Sequence, residues 1–229
     1  MTRDFIKDNL TTIQKQVAAA CTTAGRNTSE VTLLPVTKQQ PIEKLHSLYA
    51  LGERLFGENR VQDLNDKAAL LPKDIQWHMI GGIQSNKARA VVQNASCIHS
   101  VDSMKLLERL NRVALEEEKC PAIFLQVNLT GEKSKGGFTE VELAEALEKA
   151  ANSSGLNLSG LMTMGALVDN DEETRAVFRH LKNLRDSYSA DYPQLKELSM
   201  GMSGDFSLAI LEGATYVRVG SLILGARQY

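Results

Sequence analysis

The first 25 residues carry the apolar spacing of a helix. Apolar side chains recur in alternating steps of four and three residues, at Ile6, Leu10, Ile13, Val17, Ala20 and Ala24. This period places them on one stripe of a helix, and Gly25 stands where a helix C-cap is usual. We expect a helix within residues 1–25 that packs on the body of the fold. A dimer contact through the same stripe is the less favoured alternative.

After Gly25 the pattern changes to short apolar runs that alternate with helical segments. The eight runs are Val31–Val36, Arg54–Phe56, Gln76–Ile80, Cys97–Val101, Ala122–Val127, Leu158–Met162, Glu197–Ser199 and Tyr216–Val219. Two helix starts are explicit. Pro41 suits a first turn, and Thr139 with Glu142 forms a capping-box pattern.

Eight strand-then-helix units predict a closed α/β architecture. Strands this apolar favour burial on both faces, which a parallel sheet provides. Right-handed crossovers then close eight such units into a (β/α)₈ TIM barrel. An open doubly wound sheet is the alternative. Since no Pro/Gly/Ser-rich linker divides the chain, we expect one domain over residues 1–229.

Composition narrows the classes of function. Lys and Arg number 26 against 28 Asp and Glu, a net charge of -2 that argues against nucleic-acid or anionic-membrane binding. The beginning of the chain has no signal-peptide pattern, and no apolar run has the ~18 residues of a membrane span. Three widely spaced cysteines indicate a reducing compartment. We therefore expect a cytoplasmic protein, and four scattered histidines predict no metal site.

In a TIM barrel the chemistry lies just past the carboxyl ends of the strands. The polar residues at those places are Lys38, Asn59, His78, Ser100, Asn128, Thr163, Ser203 and the pair Arg218–Gly220. Lys38 directly follows an apolar strand. Partial desolvation there would lower its pKa and suit Schiff-base chemistry. A snorkelling surface lysine is the alternative, favoured if Lys38 is considered alone.

Two loops predict a phosphate site. The segment Ser199–Asp205 has two glycines, the Ser203 hydroxyl and a following helix, and Val219-Gly220-Ser221 adds amide donors. Loops after strands seven and eight often bind phosphate in such barrels. Each piece alone reads as a tight glycine turn with a serine cap. Asp205 would repel a phosphate unless its carboxylate points away.

Three further side chains have open interpretations. Arg218, inside the last strand, needs a partner: either a strand carboxylate such as Glu58, or an aromatic nitrogen or anionic group of a ligand. We expect His78 to be a hydrogen-bonded structural histidine and Trp77 to be core.

Taken in order, the motifs resemble those of the pyridoxal phosphate homeostasis protein family. They are Pro35-Val-Thr-Lys38, Phe56-Gly-Glu-Asn59, Trp77-His-Met-Ile-Gly81, Ile83-Gln-Ser-Asn-Lys87, His99-Ser-Val-Asp102, Gln126-Val-Asn128, Gly160-Leu-Met162, Ser199-Met-Gly-Met-Ser203 and Val217-Arg-Val-Gly220. The match runs from the first strand to the end of the chain. It departs from the family pattern at Gly82, Gly165, Gln39 and Gln40.

The resemblance implies fold type III, the barrel half of alanine racemase, and pyridoxal 5′-phosphate (PLP) as cofactor. It implies a Schiff base on Lys38, a phosphate held by Ser203, Gly220 and Ser221, and Arg218 facing the pyridine nitrogen. Asn59 would lie near the ring. Family members are similar to carriers or regulators in vitamin B6 and amino-acid balance, without established catalysis.

Physical chemistry also predicts weak catalysis. An arginine beside the pyridine nitrogen disfavours its protonation and leaves the ring a poor electron sink. A racemase further needs an acid/base on the opposite face, and we place none of the five tyrosines in a barrel-mouth loop. We thus expect a PLP carrier, with apo PLP-dependent enzymes as possible partners, that is a monomer or weak dimer. The alternatives are a small amino-acid racemase, a Schiff-base aldolase and a PLP-responsive interaction protein.

Overall fold

The computed structural model describes residues 2–132, 136–165 and 170–226. The strands in these residues are β1 Thr32–Pro35, β2 Leu55–Glu58, β3 Gln76–Met79, β4 Ala95–Val101, β5 Ala122–Gln126, β6 Asn157–Met162, β7 Glu197–Met202 and β8 Tyr216–Val219. The helices are α1 Thr2–Thr23, α2 Ile42–Ala50, α3 Val61–Leu70, α4 Ala88–Asn94, α5 Met104–Glu116, α6 Glu140–Ala151, α7 Asp171–Tyr188, α8 Phe206–Leu211 and α9 Ser221–Leu224.

The strands form a nearly closed parallel barrel. They pair in chain order from β2 to β8, and β8 pairs with β1. The ring closes between β1 and β2 through one parallel bridge, Val36 with Gly57, where the Thr37 N–H donates to the Gly57 carbonyl at 2.9 Å. The TIM-barrel prediction is therefore confirmed, and the open doubly wound sheet is wrong.

Helix α1 covers the barrel's outer helices with the stripe predicted for it. Ile6, Leu10, Ile13, Val17 and Ala20 are all buried, and α1 packs against α2, α8 and α9. Gly25 follows with a φ of +64°, the left-handed conformation of a helix C-cap. Packing on the chain's own core, rather than a dimer contact, accounts for this stripe.

Local signals predicted some element boundaries and missed others. Thr139 and Glu142 make the predicted capping box at the start of α6, whereas Pro41 is the N-cap of α2 and not its first helical residue. Strand β7 runs past the predicted end at Ser199 to Met202, because its backbone goes on pairing with β8 where the apolar run has stopped. Helix α9, a single turn after β8, was not predicted.

One continuous cluster of buried hydrophobic side chains extends from Ile6 in α1 to Leu224 in α9. A second, small cluster holds Cys97, Phe124 and Met162, and the single domain over residues 1–229 stays a prediction. None of the helices in the described ranges is both long and apolar enough to cross a bilayer.

Candidate functional site

A cleft of about 220 Å³ opens at the carboxyl ends of the strands, between the turns that follow β1, β7 and β8. Its lining comprises Val36, Lys38, Gln40, Ile80, Met202, Ser203, Gly204, Arg218, Gly220 and Ser221. Pockets for drug-sized ligands are usually ~300–1,000 Å³, so this cleft suits a smaller molecule. Five of the six predicted cofactor residues meet here, with two cations and, among the described lining residues, no carboxylate.

Lys38 projects from a turn whose base is fixed by a buried ion pair. The Lys67 ammonium donates to Glu58 Oε1 at 2.6 Å and to the Thr37 carbonyl at 2.8 Å. The Thr37 hydroxyl also donates to Glu58 Oε1. Burial raises the pKa of the Glu58 carboxyl, and the adjacent Lys67 charge counters part of that rise. The peptide carbonyl that precedes Lys38 is thereby held in one orientation.

The turn after Lys38 is hydrogen-bonded to the end of α9. The Gln40 side-chain amide donates to the Gly225 carbonyl at 3.1 Å. Lys44 donates to Gln40 Oε1 at 2.8 Å and to the Leu224 carbonyl at 2.6 Å. Gln39 has a φ of +55°, an uncommon conformation for a residue other than glycine. These contacts fix Lys38 relative to the Gly220–Ser221 turn.

The opposite wall of the cleft is a cluster of small hydrogen-bonding groups. Ser203 Oγ lies 3.4 Å from both the Gly220 nitrogen and Ser221 Oγ. A Cβ atom at Gly220 would lie 2.9 Å from the Val36 carbonyl oxygen, so only glycine allows this close approach. Because α8 and α9 are so short, hydroxyls and amides matter here more than a helix dipole.

Asp205 does not oppose an anion in this cleft. Its carboxylate accepts a hydrogen bond from the Met202 N–H, and the residue is absent from the lining. Burial raises the pKa of this carboxyl, against the lowering effects of the Met202 N–H and the Arg218 charge. The expected repulsion is thus avoided because the carboxylate turns back onto its own loop.

Arg218 points into the barrel and is 5% exposed. It donates from Nη1 to Ser199 Oγ at 2.7 Å and from Nη2 to the Thr163 carbonyl at 3.1 Å. Burial lowers its pKa to about 10, while Asp205 favours its charge. The suggested ion pair with Glu58 is wrong, since Glu58 pairs with Lys67.

Two of the polar residues named for the carboxyl ends of the strands lie inside strands, as the predicted runs Gln76–Ile80 and Cys97–Val101 already imply. His78 belongs to β3, where its Nδ1 is 2.9 Å from His99 Nε2, which confirms a hydrogen-bonded structural histidine. Ser100 belongs to β4, and its hydroxyl donates to the Gly81 carbonyl. Trp77 packs edge-on against Phe56 in the core, as expected.

The prediction that the histidines are scattered is also wrong for two of them. Parallel register places His78 beside Cys97, and the potential ligand atoms of His78, Cys97 and His99 lie within 4.8 Å of one another. Both ring nitrogens of His99 are already hydrogen-bonded, to His78 and to Ser199. Burial raises the pKa of the Cys97 thiol, which disfavours the thiolate that binds metals. The hydrogen bonds of His99 make this cluster part of a polar interior.

Asn59 is the predicted site residue that does not line the cleft. It follows β2, and its Oδ1 is buried with no hydrogen-bond partner in the described parts of the chain. A Cβ atom on Gly81 would clash with the Asn59 backbone, so the two loops are in direct contact. Its place near a bound ring stays a prediction.

No tyrosine in the described residues lines the cleft. Tyr49 is in α2, with its hydroxyl on Asp74, and Tyr216 begins β8 at the opposite end of the barrel. Tyr188 ends α7 and Tyr192 follows it, whereas Tyr229 lies outside the described residues. The expected lack of a tyrosine acid/base at the mouth is confirmed for those four.

Sequence reasoning missed His99 as a functional candidate, and it assigned Ser199 to the phosphate loop. Both residues lie in the barrel interior beneath Arg218. Of the segment Ser199–Asp205, only Met202, Ser203 and Gly204 line the cleft. Alternation along β4 was the available signal, because it turns residues 97 and 99 to the same face.

Comparison with known proteins gives consistent findings. Residues 8–228 match the family described as "Alanine racemase, N-terminal domain". A pyridoxal phosphate homeostasis protein of Vibrio alginolyticus is 39% identical over 229 residues, covering 98% of each chain. The structure of PipY from Synechococcus elongatus PCC7942 with PLP bound is 38% identical, with a TM-score of 0.83. The match covers 93% of this chain and 100% of that one.

Likeness to alanine racemase itself is a likeness of fold. The enzyme from Clostridium difficile 630 superposes with a TM-score of 0.75 at 14% identity. The match covers 96% of this chain but 56% of that one. The shared part is the barrel.

Proposed function

Because this chain belongs to the pyridoxal phosphate homeostasis protein family, we propose that it binds PLP at the barrel mouth and serves intracellular PLP and amino-acid homeostasis as a carrier or regulator. One observation carries the proposal most. A half-buried lysine, a buried arginine and a wall of hydroxyl and amide donors face a single small cleft.

The residues present fit the chemistry of this cofactor. Lys38 supplies the amine for a Schiff base, in which a C=N bond to the aldehyde carbon forms and water leaves. Ser203, Gly220 and Ser221 supply donors for the phosphate, and Lys38 and Arg218 add positive charge. Arg218 offers N–H groups to the pyridine nitrogen, and Asn59 is assigned to the ring's surroundings. When bound, PLP supplies an electron-withdrawing ring conjugated to the C=N bond.

The same residues disfavour strong catalysis. A guanidinium has donors only, so the nitrogen that it meets must accept and stays unprotonated. In the described residues, no tyrosine stands at the cleft to exchange a substrate proton. These two features support a holding role over amino-acid racemisation, for which the similarity to alanine racemase supplies only the fold.

The proposal extends to the partners of the protein, its oligomeric state and its cellular compartment. Apo PLP-dependent enzymes are the proposed recipients of PLP. The chain is proposed to be a monomer or weak dimer, because the apolar stripe of α1 is buried against the chain's own helices. Free cysteines, two buried and one exposed, support a reducing compartment such as the cytoplasm.

Transfer to a recipient tests the carrier role. Protein loaded with PLP should reactivate an apo PLP-dependent enzyme faster than spontaneous release of PLP from the protein allows. The Lys38→Ala protein, treated in the same way and freed of excess PLP, should restore no activity. A reactivation rate equal to the independently measured rate of PLP release would contradict direct delivery.

A further inference from the structure

A line of polar side chains crosses the barrel interior beneath the cleft. It begins at Arg218 Nη1, which lies 2.7 Å from Ser199 Oγ. It continues over 2.7 Å from Ser199 Oγ to His99 Nδ1, and over 2.9 Å from His99 Nε2 to His78 Nδ1. All four residues are at most 5% exposed. Binding of a phosphate or an amine at the mouth of the barrel does not by itself require Ser199, His99 or His78.

The direction of every hydrogen bond in this line can be deduced. Arginine carries donors only, so Ser199 Oγ accepts from Arg218. Within the described residues, the other partner of that oxygen is His99 Nδ1. The hydroxyl proton therefore goes to His99 Nδ1, since the reverse arrangement would leave a buried O–H without an acceptor.

The tautomers of both histidines follow. A neutral imidazole that accepts at Nδ1 carries its proton on Nε2. His99 thus donates from Nε2 to His78 Nδ1, and His78 in turn is protonated on Nε2. Burial holds both rings neutral: it lowers the pKa of His78 to about 4, and that of His99 well below its usual value.

The surroundings keep the line in place. The His99 ring stacks on Phe124 with centroids 4.4 Å apart and planes 10° apart, and the edge of Tyr216 meets it. Three ionisable groups face the line: Asp205 near Arg218, and Cys97 and Tyr216 lower in the barrel. The charge of Glu197 raises the pKa values of Cys97 and Tyr216. The aromatic rings thus pack around His99, and the single cation of the line, Arg218, lines the cleft.

We propose that Ser199, His99 and His78 form a one-directional hydrogen-bonded chain that positions the Arg218 guanidinium for its ligand. Every bond points away from Arg218, so the chain disperses the buried positive charge and occupies one edge of the guanidinium. The Thr163 carbonyl accepts a further hydrogen bond from Nη2, and the N–H groups outside these two contacts are left for a ligand in the cleft that Arg218 lines. The inference rests on the proposed function only for the identity of the group that Arg218 meets.

Nitrogen-15 NMR of histidine-labelled protein without PLP tests the chain directly. Both interior rings should show an unprotonated Nδ1 and a protonated Nε2, each as one tautomer. Exposed His46 and His180 supply reference signals, and His78→Gln and His99→Gln assign the interior ones. A proton on Nδ1 of either interior ring, or exchange between tautomers, would overturn the proposal on wild-type protein alone.

The positioning role has its own measurement. Ser199→Ala should weaken PLP binding roughly tenfold and abolish the single-tautomer pattern of His99. Ser159→Ala, which removes a hydroxyl of β6 that bonds only to the Asn157 carbonyl and lies off the chain, should change neither. Folded Ser199→Ala that binds PLP as tightly as wild type refutes positioning. Wild-type protein that shows the predicted tautomers but binds no PLP refutes the proposed function and leaves the chain intact.

Discussion

Gly220 is a cleft residue whose surroundings leave no room for a side chain. Its backbone passes so close to β1 that a Cβ atom would lie 2.9 Å from the Val36 carbonyl oxygen and 3.3 Å from Val36 Cβ. The obstacle on one side is backbone, which cannot rotate away as a side chain would. The Gly220 N–H and the neighbouring Ser221 hydroxyl both face Ser203. Any displacement of this turn therefore separates the donors proposed to hold the phosphate.

Gly220→Ala should accordingly weaken PLP binding by tenfold or more, because the turn must shift to admit the methyl group. Titration of PLP into the protein, followed by absorbance, measures the effect. Gly82→Ala is the matched control, since a Cβ atom there meets nothing within 4 Å. Wild-type affinity in folded Gly220→Ala would contradict the assignment of this turn to the phosphate.

Elements were predictable from sequence where periodicity or capping marks them. The α1 stripe, the capping box of α6 and the apolar run of β5 each depend on neighbouring residues alone, and all three appear as expected. The extension of β7 and the single turn of α9 depend on pairing and packing with distant residues. The pairing of Lys67 with Glu58 and the meeting of His99 with Ser199 likewise need the closed barrel. Candidate residues at strand ends could thus be named in advance, but not their partners.

For the whole molecule, the barrel's interior is unusual in holding polar groups at its centre. Two neutral histidines, a thiol and an arginine share the space that aliphatic layers commonly fill in such barrels. The two histidines bond to each other, and His99 and Arg218 both bond to Ser199. The stability of the fold is therefore tied to their protonation.

Stability should decline with acidification through the range set by His78. The pKa of His78 is lowered from 6.5 to about 4 in the folded barrel. Between these pH values His78 is therefore protonated in the unfolded chain and neutral in the folded one. The contribution of His78 is present above pH 6.5 and is lost as the pH falls toward 4, and it amounts to ~3 kcal/mol. Urea unfolding at several pH values measures it. His78→Gln keeps an acceptor for His99 and should reduce the slope, while His99, whose pKa is also lowered by burial, keeps the rest of the dependence. Equal slopes in the two proteins would contradict a buried neutral His78.

Covalent trapping is the most direct measurement of the central claim, that Lys38 holds PLP at the mouth of the barrel. Protein incubated with PLP is reduced with borohydride, digested and mapped by mass spectrometry, with Lys38→Ala and the exposed-lysine variant Lys105→Ala in parallel. The account predicts one stoichiometric pyridoxyl label, on Lys38, in wild type and Lys105→Ala, and none in folded Lys38→Ala. A label on another lysine, or an unlabelled wild-type protein after saturation with PLP, would contradict it.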